Sequence, residues 1–284
     1  MHTFIVDSGS TKADWLWYRD DTLQDEQSTI GFNPFSSDGE AFINAAQRWL
    51  KDWPLFTADL QVFYYGTGCQ SEHNRLKTKQ LIRMLCPNCE RIDVQNDMLG
   101  ACRACCGDQP GVVAILGTGT NSAVYDGRKI IDQLPSLGYR GGDPASGYDL
   151  GKRLLQAYAW RDCSEELRQA IEERFPGGIE QIKKELYEAD HPNIFLASFA
   201  PYLIKFKSSA AARSIISSAF DDFVLTNLTK YDNPQGWAVS FVGSIAHYFE
   251  AELAQALKRK GMHLGKVIRH PGRAIADYIM KRHE

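Results

Sequence analysis

The most informative part of the sequence is Asp7-Ser-Gly-Ser-Thr-Lys-Ala13, together with a second turn of similar composition, Gly117-Thr-Gly-Thr-Asn-Ser122. Each follows an apolar run typical of a buried strand, at 4–6 and at 112–116. A turn of Gly, Ser and Thr brings backbone N–H groups and hydroxyls close to an anion without a Cβ clash. Two such turns predict two cradles for a polyphosphate. Neither fits the P-loop pattern or the dinucleotide pattern G-x-G-x-x-G, and a pair of ordinary hairpin turns is the alternative.

The residue types in these turns suggest particular roles. Asp7 ends the first strand and is expected to hold Mg²⁺ through water, because this ion keeps several waters and takes one or two carboxylates. Lys12 offers a positive partner for phosphate oxygens, or is merely solvated if the turn is an ordinary hairpin. The residues predicted to contact the polyphosphate are Gly9, Ser10, Thr11, Lys12, Gly117, Thr118, Gly119 and Thr120.

Length and composition agree with a soluble enzyme, and the chain is long enough for two domains of ordinary size. The 284 residues carry a formal net charge of −3, which suggests neither a nucleic-acid partner nor a membrane surface. No apolar run approaches the length of a membrane span, and the first residues already have the pattern of a strand, not of a signal peptide. We therefore expect a cytoplasmic protein.

The seven cysteines permit two interpretations. Cys86-x-x-Cys89 and Cys102-x-x-Cys105 imitate the spacing of a four-thiolate zinc or iron–sulfur site. The second pair, however, lies in Leu99-Gly-Ala-Cys-Arg-Ala-Cys-Cys106, which is typical of a helix of small residues where cysteine packs as a small hydrophobe. We expect reduced thiols that fill the core, with a metal site as the alternative.

The periodicity of apolar residues predicts an α/β protein in which a strand–glycine turn–helix unit is repeated. This repetition points to two related domains around a cleft, each with a mixed sheet flanked by helices. Strands are predicted at 4–6, 13–18, 60–65, 91–94, 112–116, 122–125, 129–131 and 237–242. Helices are predicted at 41–52, 75–85, 99–106, 146–159, 164–174, 179–187, 193–202, 210–228 and 245–259, with a last one near the C-terminus.

Four motifs, taken in order, carry a resemblance to a known family. Besides the two phosphate turns, Leu137-Gly-Tyr-Arg-Gly-Gly-Asp-Pro-Ala-Ser-Gly-Tyr148 is similar to a segment Gly-Asp-Glu-Gly-Ser-Gly, and Phe241-Val-Gly-Ser-Ile-Ala246 to an adenosine motif. Over essentially its whole length the chain resembles the BadF/BadG/BcrA/BcrD-type ATPases, in the branch of N-acetylglucosamine and N-acetylmuramic acid kinases of the actin/hexokinase/Hsp70 superfamily. The resemblance implies two actin-like (ribonuclease H-like) domains, 1–106 and 107–284. The C-terminal segment matches no motif of the family, and we expect its last helix to pack back on the first domain.

The resemblance also implies an activity, which is the ATP- and Mg²⁺-dependent phosphorylation of a small-molecule N-acetylated amino sugar at its 6-hydroxyl. The family often forms homodimers. Asp97 matches the general base, and a carboxylate suits this role because it can accept the proton of a sugar hydroxyl. The alternative for Asp97 is an N-cap of the following helix. Adenosine contacts are implied for Gly243 and Ser244, and sugar contacts for Asn33, Gly66, Thr67, Asn121 and Asp143.

Some features leave alternatives open. Asn33 and Asp143 each precede proline in a turn, where these residue types are favoured without any ligand. Pro144 and Ala145 stand where the family has Glu and Gly, so the sugar preference is open. Two other functions fit parts of the pattern: an ATPase activator of an electron-transfer enzyme, with an iron–sulfur cluster on the cysteines, and a non-catalytic sugar sensor.

Overall fold

The computed structural model describes residues 1–35, 38–232, 236 and 238–282. Trp237, at the start of one predicted strand, lies outside the described residues. The described chain divides into two compact units: unit 1 comprises 1–109, 127–129 and 270–284, and unit 2 comprises 110–126 and 130–269.

Ten strands are found over the described residues: β1 (His2–Ser8), β2 (Lys12–Arg19), β3 (Thr22–Ile30), β4 (Leu60–Gly66), β5 (Arg91–Asn96), β6 (Gly111–Leu116), β7 (Thr120–Tyr125), β8 (Ile130–Gln133), β9 (Ala238–Val242) and β10 (His263–Ile268). The α-helices of the same residues are α1 (Gly39–Trp49), α2 (Glu72–Leu85), α3 (Asp97–Cys106), α4 (Gly147–Trp160), α5 (Glu165–Arg174), α6 (Gly178–Glu188), α7 (Pro192–Ala197), α8 (Ala200–Lys205), α9 (Ala210–Thr226), α10 (Ser244–Tyr248), α11 (Glu250–Arg259) and α12 (Gly272–Met280).

Each unit contains one mixed five-stranded sheet, and the two sheets have the same strand order. In unit 1 the order is β3-β2-β1-β4-β5, with β1, β2 and β3 antiparallel in succession and β1, β4 and β5 parallel. In unit 2 the order, read from the equivalent edge, is β8-β7-β6-β9-β10. Strand β6 therefore takes the place of β1, and β9 takes the place of β4. The predicted α/β class with two mixed sheets flanked by helices is confirmed.

The core of unit 1 is aromatic. Trp15 of β2 stacks on Phe42 of α1 with ring centroids 6.0 Å apart, and Tyr64 of β4 meets the same ring edge-on. Helix α1 begins after Asp38, whose carboxylate accepts the N–H of Glu40, and turns Phe42, Ile43 and Ala46 inward at helical spacing. The core of unit 2 is built mainly from the apolar faces of α4, α9 and α11 against β6 and β9.

The C-terminal helix α12 belongs to unit 1. It packs on α3, β1 and β2, and it comes so close to the sheet that a Cβ on Gly272 would lie 2.6 Å from the side chain of Leu16. Ile275, Ala276 and Ile279 fill this contact and are almost fully buried.

Several predicted elements are wrong in detail. Strands β3 and β10 were not predicted, because Thr22–Ile30 is largely polar and His263–Ile268 carries a glycine and little buried surface. The predicted helix 193–202 is divided into α7 and α8, with Pro201 in the first turn of α8, where its missing N–H costs nothing. The predicted helix 245–259 is divided at Phe249, whose buried ring packs against Phe220. Among the described helices, none is both long enough and apolar enough to cross a membrane.

Candidate active site

The strands β1, β4 and β5 of unit 1 end at the same level. Ser8 pairs with Gly66 and Gly66 with Asn96, all in parallel register. The residues at or just beyond these ends therefore share one edge of the sheet, which is where open α/β sheets bind their ligands. Three predicted site residues, Asp7, Thr67 and Asp97, are brought together in this way.

The first phosphate turn is the tip of the hairpin that joins β1 to β2. The N–H of Gly9 donates to the carbonyl of Lys12 at 2.9 Å, and the N–H of Gly31 donates to that of Thr11 at 3.0 Å. Only glycine fits at position 31, because a Cβ there would lie 2.0 Å from the carbonyl oxygen of Gly9. The predicted cradle and the hairpin alternative therefore describe the same turn, whose tip residues Gly9, Ser10 and Thr11 are exposed.

Asp97 is the first residue of α3, and the helix cap is its neighbour Asn96. The N–H of Met98 donates to Asn96 Oδ1 at 2.5 Å and to Asp97 Oδ1 at 2.8 Å. The N-cap alternative for Asp97 is thus wrong by one residue. Burial raises the pKa of the Asp97 carboxyl to about 6, and hydrogen bonds from the Met98 N–H and the Thr67 side chain limit the rise.

Asp7 is the second carboxyl group at this sheet edge whose pKa is raised. Burial raises its pKa to about 7, the charges of Asp97 and Asp14 add to the rise, and Lys12 opposes it. Because the negative charges around Asp7 outnumber the positive ones, a divalent cation there would relieve their repulsion. The donor set therefore fits Mg²⁺ held through water, since one or two carboxylates are what this ion takes.

The predicted sugar loop around Asn33 contacts the first phosphate turn and the turn at 66–68. Asn33 donates from Nδ2 to Ser10 Oγ at 3.3 Å and accepts the N–H of Phe35 on Oδ1 at 3.1 Å. A Cβ on Gly68, where φ is +75°, would lie 2.7 Å from Asn33 Oδ1. Asn33 therefore has the turn contacts expected of its position before proline and also lies next to the first phosphate turn. The N–H of Thr67 donates to the carbonyl of Ser8 at 2.9 Å, which holds Gly66 and Thr67 beside the same turn.

The second phosphate turn, in unit 2, is the tip of the β6–β7 hairpin and is hydrogen-bonded to the first residues of α4. The N–H groups of Gly147 and Tyr148, at the start of α4, donate to the carbonyls of Gly117 and Thr118 at 2.8 and 3.2 Å. A Cβ on Gly117 would meet nothing within 4 Å. The carbonyls of Gly117 and Thr118 are thus fixed by α4, while the N–H of Gly117 donates to the carbonyl of Gly119 at 3.0 Å and the N–H of Thr120 to Asp143 Oδ1 at 3.1 Å.

The predicted adenosine residues lie against the same turn of unit 2. Strands β6 and β9 are parallel, with Ile115 opposite Val242. Gly243, at the end of β9, has φ +117°, and a Cβ there would lie 2.3 Å from the carbonyl oxygen of Leu116. Ser244 then begins α10. A glycine is therefore required at 243 on both conformational and steric grounds.

Asp143 is buried and hydrogen-bonded within unit 2. Its Oδ1 accepts the N–H of Thr120 at 3.1 Å and lies 3.5 Å from the hydroxyl of Ser136. Burial raises the pKa of its carboxyl, while the bonds from Thr120 and Ser136 oppose the rise. Asn121, which follows Thr120 on β7, accepts the side-chain N–H of Gln133 at 3.1 Å.

The departure from the family pattern at 144–145 has a backbone consequence. Both Asp143 and Ala145 lie in the left-handed region, with φ of 58° and 57°. A glycine in the family segment suits this conformation, whereas Ala145 carries a Cβ into it. The N–H of Ala145 donates to Asp149 Oδ2 at 3.1 Å, and Arg153 and Lys152 form ion pairs with the same carboxylate.

The cysteine pairs are part of the core of unit 1. Cys86 and Cys89 are buried beside Leu85 and Ile92, and Cys102 and Cys105 are buried on α3. Burial raises the pKa of the Cys86 thiol to about 12 and that of the Cys102 thiol well above its usual range, which disfavours the thiolate that ligates metals. Within 1–35, 38–232, 236 and 238–282, no group of three or more His, Cys, Asp or Glu side chains is arranged to hold a metal ion.

Comparison with solved structures identifies the family. A candidate N-acetylglucosamine kinase from Porphyromonas gingivalis has a TM-score of 0.92 and 31% sequence identity, with 100% of this chain and 100% of that chain covered. The chain belongs to the N-acetylglucosamine kinase family. It is an ATP-dependent sugar kinase of the actin/hexokinase/Hsp70 superfamily, as its motifs indicate.

Solved structures of lower sequence identity share the fold of this kinase. A candidate N-acetylglucosamine kinase from Chromobacterium violaceum has a TM-score of 0.75 and 18% identity, covering 98% of each chain. A ROK family glucokinase from Streptomyces griseus, in complex with glucose and AMPPNP, has a TM-score of 0.57 and 13% identity, covering 100% of each chain. No protein-family model matches the kinase, and no curated protein matches it in sequence.

One residue near the kinase's first turn was missed by the sequence analysis. Asp14 of β2 lies directly opposite Asp7 of β1, and its Oδ1 is 2.7 Å from Lys12 Nζ. The signal was present in principle, because residues 12 and 14 of a strand share one face. The partner across the sheet follows only from the hairpin register, which the sequence pattern did not fix.

Proposed function

We propose that this kinase transfers the γ-phosphoryl group of ATP to the 6-hydroxyl of an N-acetylated amino sugar, N-acetylglucosamine or N-acetylmuramic acid. The proposal rests on the observation that β1, β4 and β5 end at the same level, so that Asp7, Thr67 and Asp97 lie at one edge of the sheet. Family membership supports the sugar class, because the relative from P. gingivalis is a candidate N-acetylglucosamine kinase.

In this proposal Asp97 is the general base. A pKa of about 6 leaves its carboxyl mostly ionised at neutral pH, yet more basic than an ordinary aspartate. Such a group can accept the proton of the sugar hydroxyl as that oxygen attacks the γ-phosphorus. The hydrogen bond from the Thr67 side chain holds the carboxylate in place. Most of the acceleration is expected from alignment of the hydroxyl with the phosphate.

The nucleotide is assigned to the two turns and the adenosine motif. The backbone N–H groups and hydroxyls of the turns would bind the phosphates, and Lys12 would add positive charge. Mg²⁺, when bound, neutralises phosphate charge, and Asp7 would hold it through water. The proposed contacts are Asp7, Gly9, Ser10, Thr11 and Lys12 in unit 1, and Gly117, Thr118, Gly119, Thr120, Gly243 and Ser244 in unit 2.

The sugar is assigned to polar groups near the strand ends. Hydrogen-bonded sites discriminate strongly against analogues that lack a partner group, because a buried polar atom then stays unpaired. The side chains of Asn33 and Thr67 are already fixed by neighbours in unit 1, and pre-organised donors suit selection for an N-acetyl group. The proposed sugar contacts are Asn33, Gly66, Thr67, Asn121 and Asp143.

The test is ADP release with Mg²⁺ and ATP in the presence of N-acetylglucosamine, N-acetylmuramic acid, glucosamine, glucose or no sugar. Asp97→Asn is the active-site variant. Asp93→Asn is the matched control, because Asp93 lies in the middle of the same strand, β5, three residues before its end, and its carboxylate pairs with Arg91 at 3.4 Å. Phosphate on the 6-hydroxyl is checked by mass spectrometry and by the failure of a 6-deoxy analogue to react.

We expect ADP release stimulated by an N-acetylated sugar, retained in Asp93→Asn and reduced by about 10²-fold or more in Asp97→Asn. Turnover that ignores the sugar, or equal turnover with glucose and N-acetylglucosamine, would contradict the proposed substrate class. Full activity in Asp97→Asn would remove the assigned base.

A further inference from the structure

The first turn carries an ion pair whose role the nucleotide contacts do not explain. Lys12 Nζ lies 2.7 Å from Asp14 Oδ1, at the start of β2. The lysine side chain is half exposed, whereas the aspartate side chain retains only 13% of its accessible surface. The two members of the pair thus differ: Asp14 is held in place, and Lys12 reaches outward from the turn.

Asp14 is fixed from both sides. Ser28, its partner on β3, donates its hydroxyl to Asp14 Oδ1 at 2.6 Å. On Oδ2 the neighbour is the Nδ1 atom of His270 at 3.6 Å, in the segment that precedes α12. A carboxylate held by two neighbours is a rigid anchor for a flexible lysine, whose long side chain otherwise populates many rotamers.

The position of Asp14 also relates it to the proposed magnesium residue. Asp14 lies directly opposite Asp7 in the β1–β2 pair, so their side chains share one face of the sheet. Lys12, two residues before Asp14, lies on that face as well. The ammonium group influences both carboxylates, since Lys12 lowers the pKa of Asp7 while pairing with Asp14.

Stability is a poor explanation for this pair. An ion pair with one half-exposed partner contributes little to folding, about 0–1 kcal/mol. Two carboxylates directly opposite each other across strands are unfavourable on their own account. An acidic residue at position 14 is therefore better explained by what it does to Lys12 than by what it adds to the sheet.

We propose that Asp14 is a positioning residue that holds the Lys12 ammonium beside Asp7, so that Lys12 meets the phosphates of ATP at the first turn. This inference rests on the proposed function, in which Lys12 contacts the nucleotide. Asp14 itself acts through Lys12 and touches neither phosphate nor sugar.

The test is a double-mutant cycle with Asp14→Asn, Lys12→Met and the double variant. Asp21→Asn is the matched control, since Asp21 is an exposed acid in the β2–β3 turn whose φ of 60° asparagine tolerates. For each variant, the affinity for a non-hydrolysable ATP analogue is measured by calorimetry without sugar, together with KM for ATP, KM for the sugar and the melting temperature.

We expect Asp14→Asn to weaken nucleotide affinity by roughly tenfold, the effect of misplacing one charge-assisted hydrogen bond. KM for the sugar and the melting temperature should change little, and Asp21→Asn should match the parent protein. In the Lys12→Met background, the Asp14 substitution should have no further effect, because the two residues act as one unit.

Three outcomes would overturn the inference. One is an Asp14→Asn effect of the same size with and without Lys12. Another is a parallel rise in both KM values with a lower melting temperature, which indicates a structural role. The third is a wild-type ATP affinity in Asp14→Asn. Nucleotide binding that depends on Lys12 and Asp14, but without sugar phosphorylation, would reject the proposed function and leave the inference standing.

Discussion

The carboxylate of Asp143 accepts the N–H of Thr120 at 3.1 Å, which ties the Gly142-Asp-Pro-Ala-Ser146 segment to the second phosphate turn. The hydroxyl of Thr120 returns a bond to the carbonyl of Pro144 at 2.8 Å. A residue implied as a sugar contact is thus also engaged with the proposed nucleotide cradle.

Replacing Asp143 with alanine should therefore affect ATP more than sugar. The N–H of Thr120 would lose its partner in a buried place, at a cost of about 1–3 kcal/mol in the free energy of unfolding. We expect KM for ATP to rise by an order of magnitude or so, measured beside Asp132→Ala, an exposed acid on β8. A selective rise in KM for the sugar would instead assign Asp143 to the sugar alone.

Gly243 should tolerate no side chain. Alanine at this position would combine an unfavourable φ of +117° with a Cβ 2.3 Å from the carbonyl oxygen of Leu116. We expect Gly243→Ala to lose about 3 kcal/mol or more in the free energy of unfolding and to lose affinity for ATP. Gly261→Ala separates the conformational cause from the steric one, because Gly261 has φ +71° and an added Cβ there would meet nothing within 4 Å. Equal stability loss in both variants would contradict the steric argument.

Asp97→Asn should stabilise the kinase at neutral pH while it reduces activity. The pKa of the carboxyl rises from 3.8 to about 6 on folding, so the folded chain binds more protons than the unfolded chain between these values. The free energy of unfolding therefore falls as the pH rises through this window. Above pH 6 the buried, ionised carboxylate lowers the free energy of unfolding of the wild-type chain by its full amount, at most about 3 kcal/mol. Asparagine removes this destabilisation.

The measurement is thermal unfolding of the wild type and Asp97→Asn at two pH values. The variant should melt at the higher temperature at pH 7.5, and the difference should shrink toward pH 4. A variant that melts lower at both pH values would show that the carboxylate is needed for folding and not only for catalysis.

The same pKa predicts the pH dependence of the reaction. With Mg²⁺ and ATP saturating, kcat/KM for the sugar should rise about tenfold per pH unit below pH 6 and level off above it, because a base must be ionised to accept a proton. Because Mg²⁺ and ATP are saturating, the titration of Asp7 and the pH dependence of nucleotide binding do not contribute to this pH profile. A profile that stays flat from pH 5 to pH 8 would argue against Asp97 as the base.

Much of the fold follows from local pattern. The buried strands β1, β4 and β6 are short apolar runs that end in glycine-containing turns, and such runs can be identified without any long-range information. The edge strands β3 and β10 carry no such signal. They are strands because a neighbour pairs with them, a cause that lies outside their own residues.

The site was predictable to the extent that its residues follow strands. Asp7, Thr67 and Asp97 each come at or just after a predicted strand end, so their convergence on one edge follows from parallel pairing. Asp14 was missed because its significance depends on which residue lies across the β1–β2 hairpin. The bond between Asp143 and Thr120 joins residues that are far apart in sequence, and no local pattern reports it.

The return of α12 to unit 1 has a consequence for the order in which the chain can be completed. Apart from 127–129, everything between Gln109 and His270 belongs to unit 2, and the contacts of α12 with α3, β1 and β2 join segments that lie before and after unit 2 in the chain. During synthesis the surface around Leu16, on the sheet of unit 1, therefore stays uncovered until α12 leaves the ribosome. Unit 2, which is almost continuous in sequence, has no such delay, so the half that carries Asp97 should mature last.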